Sequence, residues 1–487
     1  NGGPTETIAL LPGGLAVDAG DNVAAVDPAG APLASDQRGA GFERFSNITV
    51  DLGAFEVQQP EPPSLVVTSL GDDDNSVDGL TTLREAVRFA NSVADADGDG
   101  DAIDVITFDP TLFAPERDAL IRLTLGELEI TGDLVVDGDG SAAAPTAVTI
   151  TGDALGDDVL VAGTAITDVA ASGAARLADN SRLFNATVSD AALTLEGLTL
   201  TGGRTIGSGE QGGAVRAVGD LTLLASTVSG NSTAGSVADG GGVFGAGDVA
   251  LSNSTVSGNS TAGSGAAGGG VVGHGDVALI GSTVSGNHSA GDGGGVGGRG
   301  DVTLIDSTVS GNSTTGDRAD GGGVSGGFVT LIDSTVSGNH TTRYGGGVRG
   351  TLVTVTDSAV SDNYASGFGG GIVGRSGAGG GLVVLTNSTV SDNSTGGDRA
   401  SGGGIAGNNV FLTNSTVSDN STAGDGANGG GVYSGGNVTL RASTVSGNST
   451  TGDGADGGGI HSFAPVMLRA STVSGNSTTG FSARGGG

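Results

Sequence analysis

The sequence predicts an all-β chain wound as a right-handed parallel β-helix, a β-solenoid with a short capping helix, and three observations carry that expectation. From about Ser226 one phrase of the type Ser-Thr-Val-Ser-Gly-Asn keeps returning, followed each time by a polar loop, a Gly-Gly-Gly-Val step and a short alternating strand. Its closing asparagine falls at Asn231, Asn259, Asn287, Asn312, Asn339, Asn363, Asn393, Asn420, Asn448 and Asn476, in steps of 24 to 30 residues, which is one coil per step. The 98 glycines among 487 residues are clustered and not placed at every third position, while valine, leucine and isoleucine recur at regular spacing, so neither collagen nor disorder accounts for them.

Within a coil the side chains alternate. In Asp248-Val249-Ala250-Leu251 the valine and leucine share one face, and in Thr255-Val256-Ser257 only the central residue is strongly apolar. Apolar residues are therefore expected inside and hydroxyls outside, with a column of valines running from Val228 through Val256, Val284 and Val309 to Val473. Strands this short gain stability only by stacking, at about 4.8 Å from copy to copy. The triplets, such as Gly240-Gly241-Gly242 and Gly457-Gly458-Gly459, read as corners needing positive φ and close backbone approach. They lead into strands and not into helices, which separates them from a phosphate-binding loop. The repeat asparagine, following glycine, is expected to accept a left-handed φ and to build an amide ladder.

The formal charge is −34, lysine is absent, and aspartates outnumber glutamates 43 to 10, so the acid sits on a short side chain suited to turns. A surface of this sign excludes nucleic acid as a partner and repels anionic membranes. No stretch is long and apolar enough for membrane insertion, and Asn1 is not preceded by a charged leader region, so the reading is of a mature or excised segment. With no cysteine there is neither a disulfide nor a thiolate metal site.

The one helix signal is Thr82 to Asn91: Leu83, Ala86, Val87 and Ala90 fall on one face, and Thr82 with Glu85 forms a capping box. An open solenoid end needs a cover, and this helix is the expected lid. Leu-Arg-Glu-Ala-Val at 83–87, Phe89-Ala90-Asn91 and Asp104-Val105-Ile106-Thr107-Phe108 resemble the CSLREA segment that opens bacterial surface β-helix proteins. The family's cysteine is replaced by Thr81-Thr82. The repeats resemble those of polymorphic outer-membrane proteins. Residues 1–57, with Leu10-Leu11-Pro12-Gly13, Asp36-Gln37-Arg38-Gly39 and Val50-Asp51-Leu52-Gly53-Ala54-Phe55-Glu56, resemble the closing end of such modules, the choice-of-anchor type.

The implied order is a closing segment at 1–57, a proline-rich linker at 58–64, an opening segment with irregular coils at 65–201, and regular coils at 202–487. Such an inverted order implies self-association, either as tandem modules or as a head-to-tail polymer. Contacts are then expected at Asn1, Gly2, Gly3, Pro4 and Phe55 on one end and Gly485, Gly486 and Gly487 on the other.

Four features are candidates for chemistry. Asp95-Ala96-Asp97-Gly98-Asp99-Gly100-Asp101 alternates carboxylates like the start of a Ca2+ loop, with Asp95, Asp97, Asp99 and Asp101 as ligands but Ile106 where a bidentate carboxylate belongs. Asn-Ser-Thr sequons make Asn231, Asn259, Asn312, Asn420 and Asn448 candidate glycosylation sites, set against the ladder role. The histidines, His274, His288, His340 and His461, lie in unlike positions on distant coils and form no catalytic set. Outward pairs such as Thr255 with Ser257 and Thr444 with Ser446 make hydroxyl columns that an ice-binding solenoid would share.

The reading is an extracellular or cell-surface structural protein, a rigid rod or head-to-tail filament with an adhesive or coat role. Surface glycans are candidate partners, no cofactor is required, and no catalytic residue is assigned. A secreted pectin-lyase-like carbohydrate-active enzyme and an ice-binding solenoid are the alternatives.

Overall fold

The computed structural model describes residues 7–10, 14–39, 42–44, 49–56, 62–112, 119–139, 148–154, 158–159, 167–168, 180–374 and 381–486. Four parallel sheets of 14, 13, 12 and 11 strands run along a β-solenoid. Each regular coil contributes one strand to each sheet, as in Val243–Gly245, Val249–Ser252, Thr255–Ser257 and Ser260–Thr261. We call these, in chain order, the corner, broad, hydroxyl and short sheets. Residues 158–159 and 167–168 form a separate antiparallel pair.

Register places like on like. Val249 lies against Val277 and Leu251 against Leu279 in the broad sheet, and Val256 against Val284 in the hydroxyl sheet. The expected valine column from Val228 to Val445 is buried, and only Val473, in the last coil, is partly open. Leucines of the broad sheet form a second column behind it, so burial follows the alternation.

The coil turns sharply at both ends of each Thr-Val-Ser strand, and here the structure corrects the sequence reading. The left-handed residue is not the repeat asparagine but the one before it: Gly230, Gly258 and Gly286, or Asp362, Asp392 and Asp419, at φ between 57° and 66°. A second left-handed residue opens the same strand, at Asn253, Asp306, Asp333 and their equivalents. Aspartate and asparagine tolerate this region better than other non-glycine residues, which explains their place there. In the triplets only the first glycine has positive φ, as at Gly240 and Gly457. The next ones are fixed by space, since a Cβ on Gly430 would lie 2.3 Å from the Ser449 carbonyl oxygen.

The capping helix spans Leu83–Ser92 with the capping box in place: Thr82 Oγ1 accepts from Glu85 N, and Glu85 Oε2 accepts from Thr82 N at 2.9 Å. Leu83, Ala86 and Val87 are buried on the first coils. Arg84 pins the helix laterally, pairing with Asp72 at 2.7 Å and donating to the Gly126 carbonyl at 2.6 Å. Across the boundary expected at 201–202 the broad sheet continues, while the short sheet starts just beyond it, at Arg204–Thr205. Leu193–Glu196 pairs with Leu134–Asp137 on one side and Leu221–Leu224 on the other.

Candidate functional site

The repeat asparagines are rungs of a buried ladder. Asn259 Oδ1 accepts from both the backbone N and Nδ2 of Asn231 at 2.9 Å. Asn259 Nδ2 in turn donates to the Val228 carbonyl at 2.9 Å and to Asn287 Oδ1 at 3.0 Å. Every amide atom is thereby spent inside the coil stack. The candidate glycosylation sites Asn231, Asn259, Asn312, Asn420 and Asn448 are no more than 1 % exposed, so a glycan and the ladder would compete for the same Nδ2 atoms. A parallel ladder went unread in the sequence. Ser226, Ser254, Ser282 and their equivalents are buried, each Oγ accepting the backbone N–H of the serine one coil before, as from Ser226 N to Ser254 Oγ at 3.1 Å. The signal was present, because that serine recurs in every coil from 226 to 471.

In the acidic loop the structure gathers three of the four expected ligands. Carboxylate oxygens of Asp95, Asp97 and Asp99 lie within 4.8 Å of one another, and Asp101 does not join them. Asp101 Oδ1 instead accepts from Ile103 N at 2.7 Å, closing a turn. The loop is anchored by buried Asp104, whose Oδ1 accepts from Ala96 N at 2.6 Å. Three carboxylates with open positions for water suit a hard cation such as Ca2+.

At the amino-terminal segment, Asn1, Gly2, Gly3 and Pro4 lie outside the described residues, as does Gly487 at the other end. Phe55 is turned to its own segment, its ring 3.8 Å from the Arg38 guanidinium, with Phe42 at 4.0 Å. Arg38 pairs with Asp36 and donates to the Glu56 carbonyl at 2.6 Å, while Arg44 pairs with Glu56 at 3.0 Å. Burial opposes the charge on Asp36, but hydrogen bonds from the Arg38 side chain and from the backbone of Glu56 and Arg38 outweigh it and hold the carboxyl below its usual range. Gly485 and Gly486 continue the glycine corner, their carbonyls accepting from Gly458 N at 3.0 Å and Gly459 N at 3.1 Å.

Val466, Met467 and Leu468 are 39, 55 and 50 % exposed, although Val466 and Leu468 continue the columns of buried Val438 and Leu440.

The corner sheet carries the remaining concentration of chemistry. Beside it lies a cleft of about 420 Å³ lined by Asp239, Val272, Asp292, Gly297, Arg299 and Arg349 among others. Asp239 and Asp320 are buried, and Asp239 Oδ1 accepts from Ala267 N at 2.8 Å. Asp320 Oδ2 is 3.6 Å from Arg349 Nε and 3.7 Å from Arg343 Nη1. His274 Nε2 lies 3.9 Å from Asp239 Oδ2, and its ring meets Phe244 edge-on at 4.9 Å. Burial raises the Asp239 pKa against the opposing Ala267 N–H and the nearby His274 and Arg299. Burial, reinforced by Arg299, lowers that of His274. The other three histidines sit apart: His288 and His340 on the short sheet and His461 near the end of the corner sheet.

Among the described residues no helix is long and apolar enough to cross a membrane. Comparison with protein-family models, curated proteins and solved structures returns no match to this chain. The fold defines the class, a parallel β-solenoid repeat protein.

Proposed function

We propose that the chain is an extracellular structural protein, a rigid rod that extends end to end by coil-on-coil stacking and serves as a surface coat or adhesive fibre. The observation that carries this reading is the like-on-like register of the coils, Val249 against Val277 and Val256 against Val284, which lets one coil stack on another without a change of side chain. A sheet edge built this way recruits another strand, because its backbone N–H and C=O groups and its apolar side chains all gain partners on stacking. Residues 1–57 of a following module or of a second copy are the proposed cover, in keeping with their resemblance to a closing segment. Ca2+ is an optional ligand at Asp95, Asp97 and Asp99, and no catalytic role is assigned to any residue.

Electron microscopy of the purified protein, with a detergent-boiled gel run alongside, tests the reading. Long filaments that resolve to a 46.3 kDa band support docking of separate copies. Filaments that resolve to a much larger band support covalent tandem modules. Isolated short rods at high concentration refute end-to-end extension.

A further inference from the structure

Most columns of this solenoid are nearly uniform from coil to coil: serine, threonine, valine, asparagine and the triplet glycines. Two are not. One is the outward position in the middle of each corner strand, which in register reads Phe244, Val272, Gly297, Ser325, Arg349, Val373, Ala406, Tyr433 and His461. The other is the residue before each triplet, stacked through its carbonyl, which includes Asp239, Asp292, Asp320, Tyr344 and Phe368. Both line the same flank of the rod. Inward columns stay uniform because stacking fixes them, whereas outward ones are free to vary, and on this flank the variation brings charged and aromatic side chains together.

We propose that this flank binds an extended, uncharged glycan chain lying along the rod axis. The proposal goes beyond the structural-rod reading and does not depend on it. Four features support it. The floor has space at Gly297: that glycine, though buried, needs no positive φ, and a Cβ there would meet nothing closer than 3.7 Å, so its missing side chain leaves room and relieves no clash. The walls carry both signs, Asp239, Asp292 and Asp320 facing Arg299, Arg343 and Arg349, giving donors and acceptors for hydroxyl groups with little net charge.

Aromatic rings continue the same flank. Tyr344 and Phe368 have centroids 5.8 Å apart, Phe368 and Tyr433 also 5.8 Å, and Tyr433 stacks on His461 at 5.7 Å. In a chain that is only 3 % aromatic, such a strip is a platform for the apolar faces of sugar rings. Finally, the coil repeat of about 4.8 Å is close to the length of one sugar unit, so successive coils can address successive units. A polyanionic chain is disfavoured by the net charge of −34.

Affinity electrophoresis of the full chain through gels containing dextran, soluble β-1,3-glucan, xylan or polygalacturonate tests this. The expected result is retardation by at least one of the three neutral polysaccharides and none by polygalacturonate. Tyr433→Ala and Arg349→Ala should each weaken that retardation about tenfold or more. Tyr364→Ala should leave it unchanged, since that ring stacks on His340 on the short sheet. Circular dichroism melts of the three variants show that each is folded, all three side chains being only partly buried. Absence of retardation by all three neutral polysaccharides, retardation by polygalacturonate alone, or equal loss in Tyr364→Ala would overturn the proposal.

Discussion

Asn312 Oδ1 accepts two hydrogen bonds from Asn287, one from its backbone N and one from its Nδ2, each at 2.9 Å. Asn312 Nδ2 donates onward to the Val284 carbonyl and to Asn339 Oδ1, both at 3.0 Å. One side chain therefore links the coils on both sides of it, and its chemistry is demanding: the acceptor must face one way and the donor the other.

Asn312→Ala should cost about 1–3 kcal/mol, the expense of leaving buried donors and acceptors unmade. Asn312→Asp should cost more at neutral pH, because a carboxylate cannot donate to Val284 and would be buried without a countercharge. Chemical denaturation of both variants checks the order. A smaller loss in the aspartate variant would mean that the ladder is solvated.

Two glycines near each other in the chain should behave oppositely. At Gly430 a Cβ would strike the Ser449 carbonyl oxygen at 2.3 Å, so Gly430→Ala should destabilise by several kcal/mol or split the rod locally. At Gly454, with φ of 67° and open space, Gly454→Ala should cost only about 1–2 kcal/mol. Thermal melts and limited proteolysis separate the two cases.

Acidity should act with opposite signs at two buried aspartates. Asp239 has a raised pKa in the folded chain, so the folded state holds its proton longer, and its contribution to stability falls as pH rises from the ordinary value of 3.8 toward the folded one. Asp239→Asn should therefore gain stability relative to the parent at neutral pH and lose that gain near pH 3. Asp36 has a lowered pKa, so its contribution is full above 3.8 and is lost as pH falls through the folded value. Asp36→Asn should flatten the acid limb. Denaturation midpoints at a series of pH values give both slopes.

Ca2+ should bind weakly and locally. Because the three carboxylates are exposed and Asp101 is engaged elsewhere, calorimetry should show a dissociation constant of about 10⁻⁴–10⁻³ M, abolished by Asp97→Asn with little change in the melt of the coils. A large melting shift on chelation would instead make the cation structural.

The period, the valine column and the capping box of Thr82 and Glu85 were legible because each follows from local spacing. The ladder was legible in outline, but its two corners were not. Left-handed φ at Asp362 and Asp306 depends on where the backbone turns relative to the ladder residue, and the letters around Asn363 do not show which neighbour turns. The serine ladder was not legible because an inner face read as apolar left no place for a polar column, although Ser226 shares that face with Val228. The cleft beside Gly297 was invisible for another reason: Asp239, Arg299 and Arg349 are dozens of residues apart in sequence and meet only through the coil stack.

The central claim is that rods extend by coil-on-coil stacking, and sedimentation velocity on the parent chain and Leu468→Asp tests it most directly. Leu468 is half-exposed at the end face, whereas its counterpart Leu440 is buried one coil earlier, so the charge should spare the fold and block the next coil. The account predicts concentration-dependent, elongated assemblies for the parent and single rods for the variant. A parent that sediments as a single rod at every concentration, indistinguishable from Leu468→Asp, would contradict it.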